Sequence, residues 1–418
     1  MCNQLNLQPS VETATWTCAA IAGLLFVSTT CTADEGCVFC RSCLSQSPCD
    51  EPIREPWIVS PEPWLDDCLI SRYYNNAQRR KDDFLIPIGA GAFHWFQKDL
   101  DGNNSGYGIP GLRGTFFWYL TADPQTVLSN GWTVGAHTNI RLREQDRFRS
   151  FYDGQVWSYE SYAYITIPEF GTLKGGQIVN RFGSDWGGVF WGTAGFFDGF
   201  KFNPDYGVSW EATPELTDGF KLDHYCQFFF HEDGINGSIP GADSESVAGY
   251  TAKNRGVVRL VPTWMHANGA TTALGFSGLV GQIDSRRADA GDQVVSGWAI
   301  DVNHTVGPLR LIGETLQTYG VLNPVRYTSG GPSDRVTNLL GEAQYVTGPF
   351  THRVSQSVSI ADDPHGMLNM SVIGTRFAAT KNVDVYMEYI NQRIIQSADQ
   401  TRNGQLFNGL SLIIHWRF

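Results

Sequence analysis

Two sets of charged side chains could act together on ions or polar solutes. The basic set is Arg113, Arg141, Arg143 and Arg181, and the acidic set, which follows along the chain, is Asp185, Asp198 and Asp205. If the fold places the two sets on opposite sides of an opening, they produce a transverse field that orders water and favours polar, dipolar solutes. The alternative is that they are solvated charges with no shared geometry. The elements that carry them therefore decide between the two interpretations.

A cluster of cysteines near the N-terminus is the second set with reactive chemistry. Its members are Cys37, Cys40, Cys43, Cys49 and Cys68. Thiolates could hold zinc or an iron–sulfur cluster, but the spacing matches neither pattern cleanly. In an exported chain, which meets an oxidising compartment, disulfides are the favoured interpretation, so we expect no metal here. Cys226 stands alone within a strand pattern and is interpreted as a small apolar residue.

The sequence carries no catalytic motif. Its nine histidines are scattered without H-E-x-x-H spacing, and it has neither a G-x-S-x-G elbow nor a phosphate-binding glycine loop. We therefore expect neither enzymatic activity nor a cofactor. The net charge of −12 also argues against a nucleic acid as partner.

The elements that carry these side chains are predicted to be strands, beginning near Phe84. From there, stretches of about ten to fourteen residues are joined by alternating short turns and longer polar connections, and counting them gives about sixteen strands. Within 132–143, apolar residues alternate with polar or basic ones, which puts Arg141 and Arg143 on the polar face. Aromatic residues reach 13% and charged residues only 17%, which favours strands over a helical enzyme.

The C-terminal residues follow the same period of two. Leu410, Leu412, Ile414, Trp416 and Phe418 share one face, and Ser411, His415 and Arg417 take most of the other. A strand between hydrocarbon and water needs this alternation, and only a closed barrel leaves no sheet edge in a bilayer. A soluble β-sandwich is the alternative, but so many long strands would overfill its thin core. The predicted fold class is all-β, a transmembrane antiparallel β-barrel of about 16 strands.

The stretch from Phe84 to Phe418 resembles the general porin superfamily of Gram-negative outer membranes. The likeness rests on the ending Leu412–Phe418 and on the segment Phe170–Gln177, which is similar to the porin strand that precedes the constriction loop. The resemblance implies a water-filled outer-membrane channel for passive diffusion of small hydrophilic solutes and ions, and a homotrimer surrounded by outer-membrane lipids. It also implies that Trp416 and Phe418 form the terminal signal read by the barrel-assembly machinery, and that the third long loop folds inward.

The connection after the fifth predicted strand, from Asn180 to about Asp205, is the candidate for that loop. It is the longest and least polar connection, it is rich in Phe and Trp, and its glycines supply bends. An aromatic loop in solvent would be an aggregation hazard, so we expect it to fold into the barrel and narrow the opening. The alternative is a pair of short buried strands flanking a glycine turn.

Two segments precede the predicted barrel. The apolar run Cys18–Val27, followed by small residues, predicts a signal peptide over 1–33, with an ordinary buried helix as the alternative. Residues 34–83 form a Cys- and Pro-rich segment that we expect in the periplasm, and 84–418 form the outer-membrane barrel. Two other functions stay open. The barrel could anchor the Cys-rich segment to the cell wall or a partner, or it could be an outer-membrane hydrolase.

Overall fold

The computed structural model describes nine stretches of the chain. They are residues 88–100, 112–143, 156–184, 201–231, 250–285, 293–322, 332–362, 366–396 and 404–417. Within these stretches, no helix is long and apolar enough to cross a membrane. The predicted signal peptide, the segment 34–83 with its five cysteines, Asp185, Asp198 and Phe418 lie outside them.

Eighteen strands follow one another along the described chain. The first nine are β1 (Ile88–Asp99), β2 (Leu112–Ala122), β3 (Gln125–Val127), β4 (Thr133–Arg143), β5 (Val156–Ile167), β6 (Gly171–Arg181), β7 (Lys201–Ala212), β8 (Glu215–Thr217) and β9 (Phe220–His231). The other nine are β10 (Tyr250–Met265), β11 (Thr271–Ser285), β12 (Gln293–Val306), β13 (Leu309–Leu322), β14 (Pro332–Thr347), β15 (Phe350–Ala361), β16 (Gly366–Thr380), β17 (Val383–Gln396) and β18 (Gly404–Arg417). Apart from the short β3 and β8, they contain 11 to 16 residues, enough for a tilted strand to cross a bilayer.

The two short strands continue the strands before them. β3 follows β2 after Asp123 and Pro124, and both pair with β4. β8 follows β7 after Thr213 and Pro214, and both pair with β9. Proline has no N–H to give to a ladder, which explains each interruption. Each pair therefore forms one barrel strand, so the eighteen strands make sixteen, and the predicted count is confirmed.

The sheet closes on itself. Each barrel strand pairs antiparallel with its neighbours along the chain, and β1 also pairs with β18, from Gly91 opposite Arg417 to Asp99 opposite Gly409. The last strand of the sequence thus completes the wall beside the first, and the sixteen described strands form a closed antiparallel barrel. The predicted fold class is confirmed in this respect.

Burial alternates along the wall strands, as the sequence pattern predicts. In β15, Arg353 is 3% exposed and Val354 is 56% exposed. In β18, His415 is fully buried and Leu410 is 49% exposed. Side chains inside a barrel are shielded by the rest of the wall, so the buried face is the inner one. The apolar face therefore points out of the barrel and the polar face points into the lumen.

The short connections all lie at one end of the barrel, here named the turn end. Examples are the two-residue turns between β12 and β13, between β14 and β15, and between β16 and β17. Gly131, Gly307 and Gly348 have positive φ angles of 84°, 53° and 55° in these short connections, which suits glycine. The longer connections lie at the opposite end, so the predicted alternation of short and long connections is confirmed.

Candidate functional site in the barrel lumen

Charged side chains of both signs cover the inner face of the barrel. The buried carboxylates are Asp123, Glu160, Asp205, Glu211, Asp301, Glu314, Glu342, Asp384 and Glu388. The buried Lys and Arg side chains are Arg141, Lys174, Arg181, Arg255, Arg259, Arg353 and Arg417. Among the described residues, nine carboxylates therefore face seven cations. Charges this well shielded on a one-layer wall belong to the lumen, because the outer face meets no polar partner in lipid.

Ion pairs between strands hold many of these side chains in place. Arg353 of β15 contacts Glu342 of β14 at 2.7 Å and Glu388 of β17 at 3.5 Å. Arg259 of β10 donates two hydrogen bonds, of 2.6 and 3.0 Å, to Asp301 of β12. Further pairs join Lys174 to Glu211, Arg255 to Asp205, and Arg376 and Arg417 to Asp384. His137 Nδ1 forms a buried hydrogen bond of 2.5 Å with Asp123 Oδ1. Such pairing compensates the cost of removing charges from water and fixes their orientation.

The end of β6 and the beginning of β7 leave the barrel wall together. Pairing between β5 and β6 stops at Ser161 opposite Gln177, although β5 extends further towards the long connections. Pairing between β7 and β9 starts only at Tyr206. β6 and β7 nevertheless stay paired with each other as far as Arg181. These strand ends and the three residues after β6 form a unit that we name the inner arm, residues 177–184 and 201–205.

The burial of the inner arm places it inside the lumen. All eight residues from Gln177 to Ser184 are buried, whereas a strand in the wall buries alternate residues. Gln227, on the inner face of β9, accepts a hydrogen bond from the Arg181 N–H at 2.8 Å and donates one to the Val179 carbonyl at 2.9 Å. The arm therefore lies across the inner face of β9.

The tip of the inner arm packs against apolar side chains inside the barrel. Phe182 is fully buried and belongs to a hydrophobic cluster that the arm forms with the inner face of the wall. The other members are Ile178, Phe229, Val257, Leu279, Val295, Ala299 and Leu316. Gly297 of β12 leaves room for the ring, because a Cβ at that position would come within 3.0 Å of Phe182 Cζ. Burial of a phenylalanine among these side chains stabilises the arm in the lumen.

Hydrogen bonds fix the two residues that follow Phe182. The Gly183 N–H donates to Ser277 Oγ of β11 at 3.1 Å. The Ser184 N–H donates to Glu314 Oε2 of β13 at 2.6 Å, and the Ser184 hydroxyl donates to the same oxygen. Ser277 Oγ also accepts a hydrogen bond from Arg259 at 2.9 Å. The contacts of the arm are therefore linked to the ion pairs of the wall. The chain that leaves β6 therefore crosses to the wall formed by β11 and β13.

Six of the seven predicted lumen residues divide into three groups. Arg141 and Arg181 are buried, and the Arg181 guanidinium lies 5.7 Å from the centre of the Tyr225 ring. Arg113 and Arg143 belong to β2 and β4, at positions whose side chains the structure does not describe. Asp185 and Asp198 lie outside the described residues.

Asp205 and the bounds of the connection need a correction. The expected connection from Asn180 to about Asp205 is too long at both ends, because β6 continues to Arg181 and β7 begins at Lys201. Backbone pairing between β6 and β7 persists inside the lumen, and this pairing keeps those residues in strands. Asp205 is thus a buried strand residue whose carboxylate pairs with Arg255.

Several lumen residues were not among the predicted site residues. These residues include Glu314, Arg255, Arg259 and Asp301, which hold or border the inner arm. They also include Arg353, which joins carboxylates of β14 and β17. Their place on the polar face follows from the alternation alone. Their partners do not, since Ser184 and Glu314 lie 130 residues apart in the sequence.

Solved structures with the same architecture complete the description. No model of a protein family matches the sequence, and no match is found among curated proteins. The outer membrane channel DcaP of Acinetobacter baumannii is 16% identical, with a TM-score of 0.56 over 81% of this chain and 98% of that chain.

Two further structures are similar in the same way. OmpF of Salmonella typhi, in complex with daunomycin, is 13% identical, with a TM-score of 0.58 over 81% of this chain and 98% of that chain. OmpT of Vibrio cholerae, an outer membrane protein in its trimer form, is 10% identical, with a TM-score of 0.53 over 81% and 100%. Identities this low speak for the fold alone. The chain therefore has the fold of the bacterial outer-membrane porins.

Proposed function

We propose that the protein is an outer-membrane channel through which small hydrophilic solutes and ions diffuse passively. One observation carries the proposal: a closed wall of sixteen strands has an apolar outer face and an inner face lined with charges of both signs. The outer face suits the hydrocarbon of outer-membrane lipids, and the inner face suits water. The near balance of nine carboxylates and seven cations favours polar solutes over one sign of ion.

The inner arm is the proposed start of the constriction. Residues 182–184 already lie against the wall formed by β11 and β13, and the connection 185–200 continues from them. We propose that this connection stays in the lumen and narrows it, with Asp185 and Asp198 facing the basic side chains of Arg113, Arg141 and Arg143. The burial of Arg141 and the inward course of Phe182 support this arrangement.

Assembly is proposed to follow the pattern of structurally similar proteins. Trp416 lies on β18 near the turn end, on the same face as the exposed Leu410, where an interfacial aromatic residue belongs. With Phe418 it is the proposed signal for the barrel-assembly machinery. A homotrimer is proposed because the structure of OmpT from Vibrio cholerae is a trimer form.

Conductance in planar bilayers tests the channel directly. Purified, refolded protein should give discrete current steps, and heat-denatured protein should give none. Liposomes that contain the protein should swell faster in solutions of small neutral sugars than in solutions of large ones. A folded barrel that stays silent in both assays would contradict the proposal and would favour an anchor or an outer-membrane hydrolase.

A further inference from the structure

Inner side chains near the turn end differ in burial from one side of the barrel to the other. Asp384, the second residue of β17, is 1% exposed, and His415, the third residue from the end of β18, is 0% exposed. Arg310 and Thr263 occupy the same two positions in β13 and β10, and both are half-buried. The turn end of the lumen therefore has a covered side and an open side.

The covered side extends over the strands on both sides of β1, which pairs with β18 and β2. We name it the covered sector, and its members are Asp384 and Tyr386 of β17, His415 and Arg417 of β18, Tyr119 and Thr121 of β2, Asp123, Gln125 of β3 and His137 of β4, all of them buried. We name the opposite side the open sector. Its members are the half-buried residues Asp223, Thr263, Thr271, Asn303 and Arg310, on β9 to β13.

The wall alone does not account for the burial of the covered sector. A sixteen-stranded barrel leaves an aqueous channel, so an inner side chain keeps one side in water unless more of the chain lies over it. The inner arm shows the effect of such a cover, because Val295 and Leu316, which form a cluster with its Phe182, are 1% and 0% exposed. The arm contacts β9, β11 and β13, on the side of the barrel opposite to β1. The covered sector therefore needs a different cover.

The chain that precedes β1 reaches the barrel inside the covered sector. Ile88, the first residue of β1, lies opposite Ala122, which follows Thr121 in β2. The segments between strands that lie outside the described residues all leave from the other end of the barrel and return to it. They are 101–111, 144–155, 185–200, 232–249, 286–292, 323–331, 363–365 and 397–403. Because the connections at the turn end are short, the residues before β1 have the nearest access to the covered sector.

The segment 69–87, which leads into β1, has a composition that suits this place. It contains the apolar and aromatic residues Leu69, Ile70, Tyr73 and Tyr74 and the cations Arg72, Arg79, Arg80 and Lys81. The described lumen has nine buried carboxylates against seven cations, which favours a basic segment. Pro87 has no N–H to give to a ladder, so the chain can turn from the wall just before β1. An extended chain of this length spans roughly 60 Å, enough to enter the lumen.

We propose that residues 69–87 turn into the lumen at the turn end and dock on the covered sector. The apolar and aromatic side chains of the segment pack against Tyr119 and Tyr386, and its cations lie among the lumen carboxylates. Because the cover occupies only the side around β1, the open sector remains as the path for solutes at this end of the barrel. The segment thus narrows a second section of the channel, separate from the section proposed for 185–200.

Cysteine labelling tests the docking. Thr121→Cys reports on the covered sector, and Thr263→Cys, which also replaces an inner threonine near the turn end, reports on the open sector. With a water-soluble thiol reagent and the folded protein, we expect position 121 to react at least about tenfold more slowly than position 263. Mass spectrometry of the peptide that contains each position separates this label from label on the native cysteines. Equal rates at the two positions in the intact protein would overturn the proposal.

Removal of residues 69–83 identifies the cover. Position 121 should then react as fast as position 263, while the rate at position 263 and the heat-modifiable band stay unchanged. Replacement of 69–83 by a Gly/Ser segment of equal length, which keeps the chain but not its side chains, should have the same effect. Slow labelling of position 121 that persists in both variants would contradict the proposal, because other residues would then cover the sector.

The labelling does not require conduction, so it tests the docking independently of the channel. A barrel that is silent in planar bilayers but protects position 121 through residues 69–83 refutes only the channel. A conducting barrel that labels positions 121 and 263 equally refutes only the docking.

Discussion

β15 and the end of β6 show two ways in which a strand can meet the lumen. In β15, inner and outer positions alternate from Arg353 to Ala361, and each inner side chain belongs to the wall. In β6, alternation ends at Gln177, and every residue up to Ser184 is buried. A strand between lipid and lumen has one face for each, whereas a chain that is buried on both faces has left the wall. The difference separates the wall of the barrel from the arm that lies inside it.

The two regions also differ in what stabilises them. Arg353 in β15 is held by buried carboxylates on the strands of the same wall. The tip of the inner arm is held by the Phe182 ring and by hydrogen bonds to Ser277 and Glu314. Substitutions in β15 should therefore affect the barrel, and substitutions at the arm should affect the opening alone.

The largest effect is expected at Arg353. Replacing it with methionine leaves Glu342 and Glu388 buried without their cation, which should lower the free energy of unfolding by about 3–5 kcal/mol. Equilibrium unfolding by urea in lipid vesicles measures this. Val354→Leu, one residue away on the outer face, should change the value by less than about 0.5 kcal/mol. Equal effects of the two substitutions would contradict the assignment of the faces.

Phe182→Ala should act on the arm while the wall stays folded. Loss of the buried ring should weaken docking of the arm by about 3 kcal/mol, because the ring leaves a cavity among the apolar side chains of the wall. We expect larger and noisier single-channel currents with an unchanged heat-modifiable band. Phe228→Ala, on the outer face of the neighbouring wall strand β9, should leave the currents unaltered. Wild-type currents from the Phe182 variant would mean that the ring does not hold the opening.

Glu314→Gln should give a smaller effect of the same kind. The amide can still accept one hydrogen bond from Ser184 but loses the charge assistance, which should weaken docking by about 1 kcal/mol. The fraction of time in which the channel passes the larger current should rise, but less than in the Phe182 variant. A greater rise than for Phe182→Ala would show that the hydrogen bonds between Ser184 and Glu314 hold the arm more strongly than the buried Phe182 ring does.

The wall strands could be predicted from the sequence. For the inner arm, the sequence predicted an inward course from Asn180, but not its start at Gln177, its strand pairing or its partners. The period of two places Arg353 and Val354 on opposite faces, because each residue in the wall meets either lipid or lumen. The segment from Gln177 to Ser184 contains both apolar and polar residues, and no local pattern shows that both of its faces are covered. Its partners come from β9, β11 and β13, so the arm depends on contacts between distant parts of the chain.

Reversing the charge of Arg141 and Arg143 should have the smallest effect of these substitutions. Arg141→Glu with Arg143→Glu should move the reversal potential in a salt gradient towards cation preference, since lumen charges act on ions within a Debye length of about 10 Å at modest salt. The shift should shrink as the salt concentration rises. The control is Arg335→Glu, because Arg335 of β14 and its ion pair with Asp362 are exposed. This substitution should shift the reversal potential less. Equal shifts would place Arg141 and Arg143 away from the narrow section.

Shortening the chain after β6 tests the central claim, that this chain narrows the lumen. Removal of residues between Gly183 and Gly199 should raise the single-channel conductance in planar bilayers, because less of the chain then occupies the cross-section of the lumen. An equally large deletion within 232–249, between β9 and β10, serves as the control and should leave the conductance close to that of the intact protein. An unchanged conductance after the first deletion, in a barrel that is folded and conducting, would contradict the account.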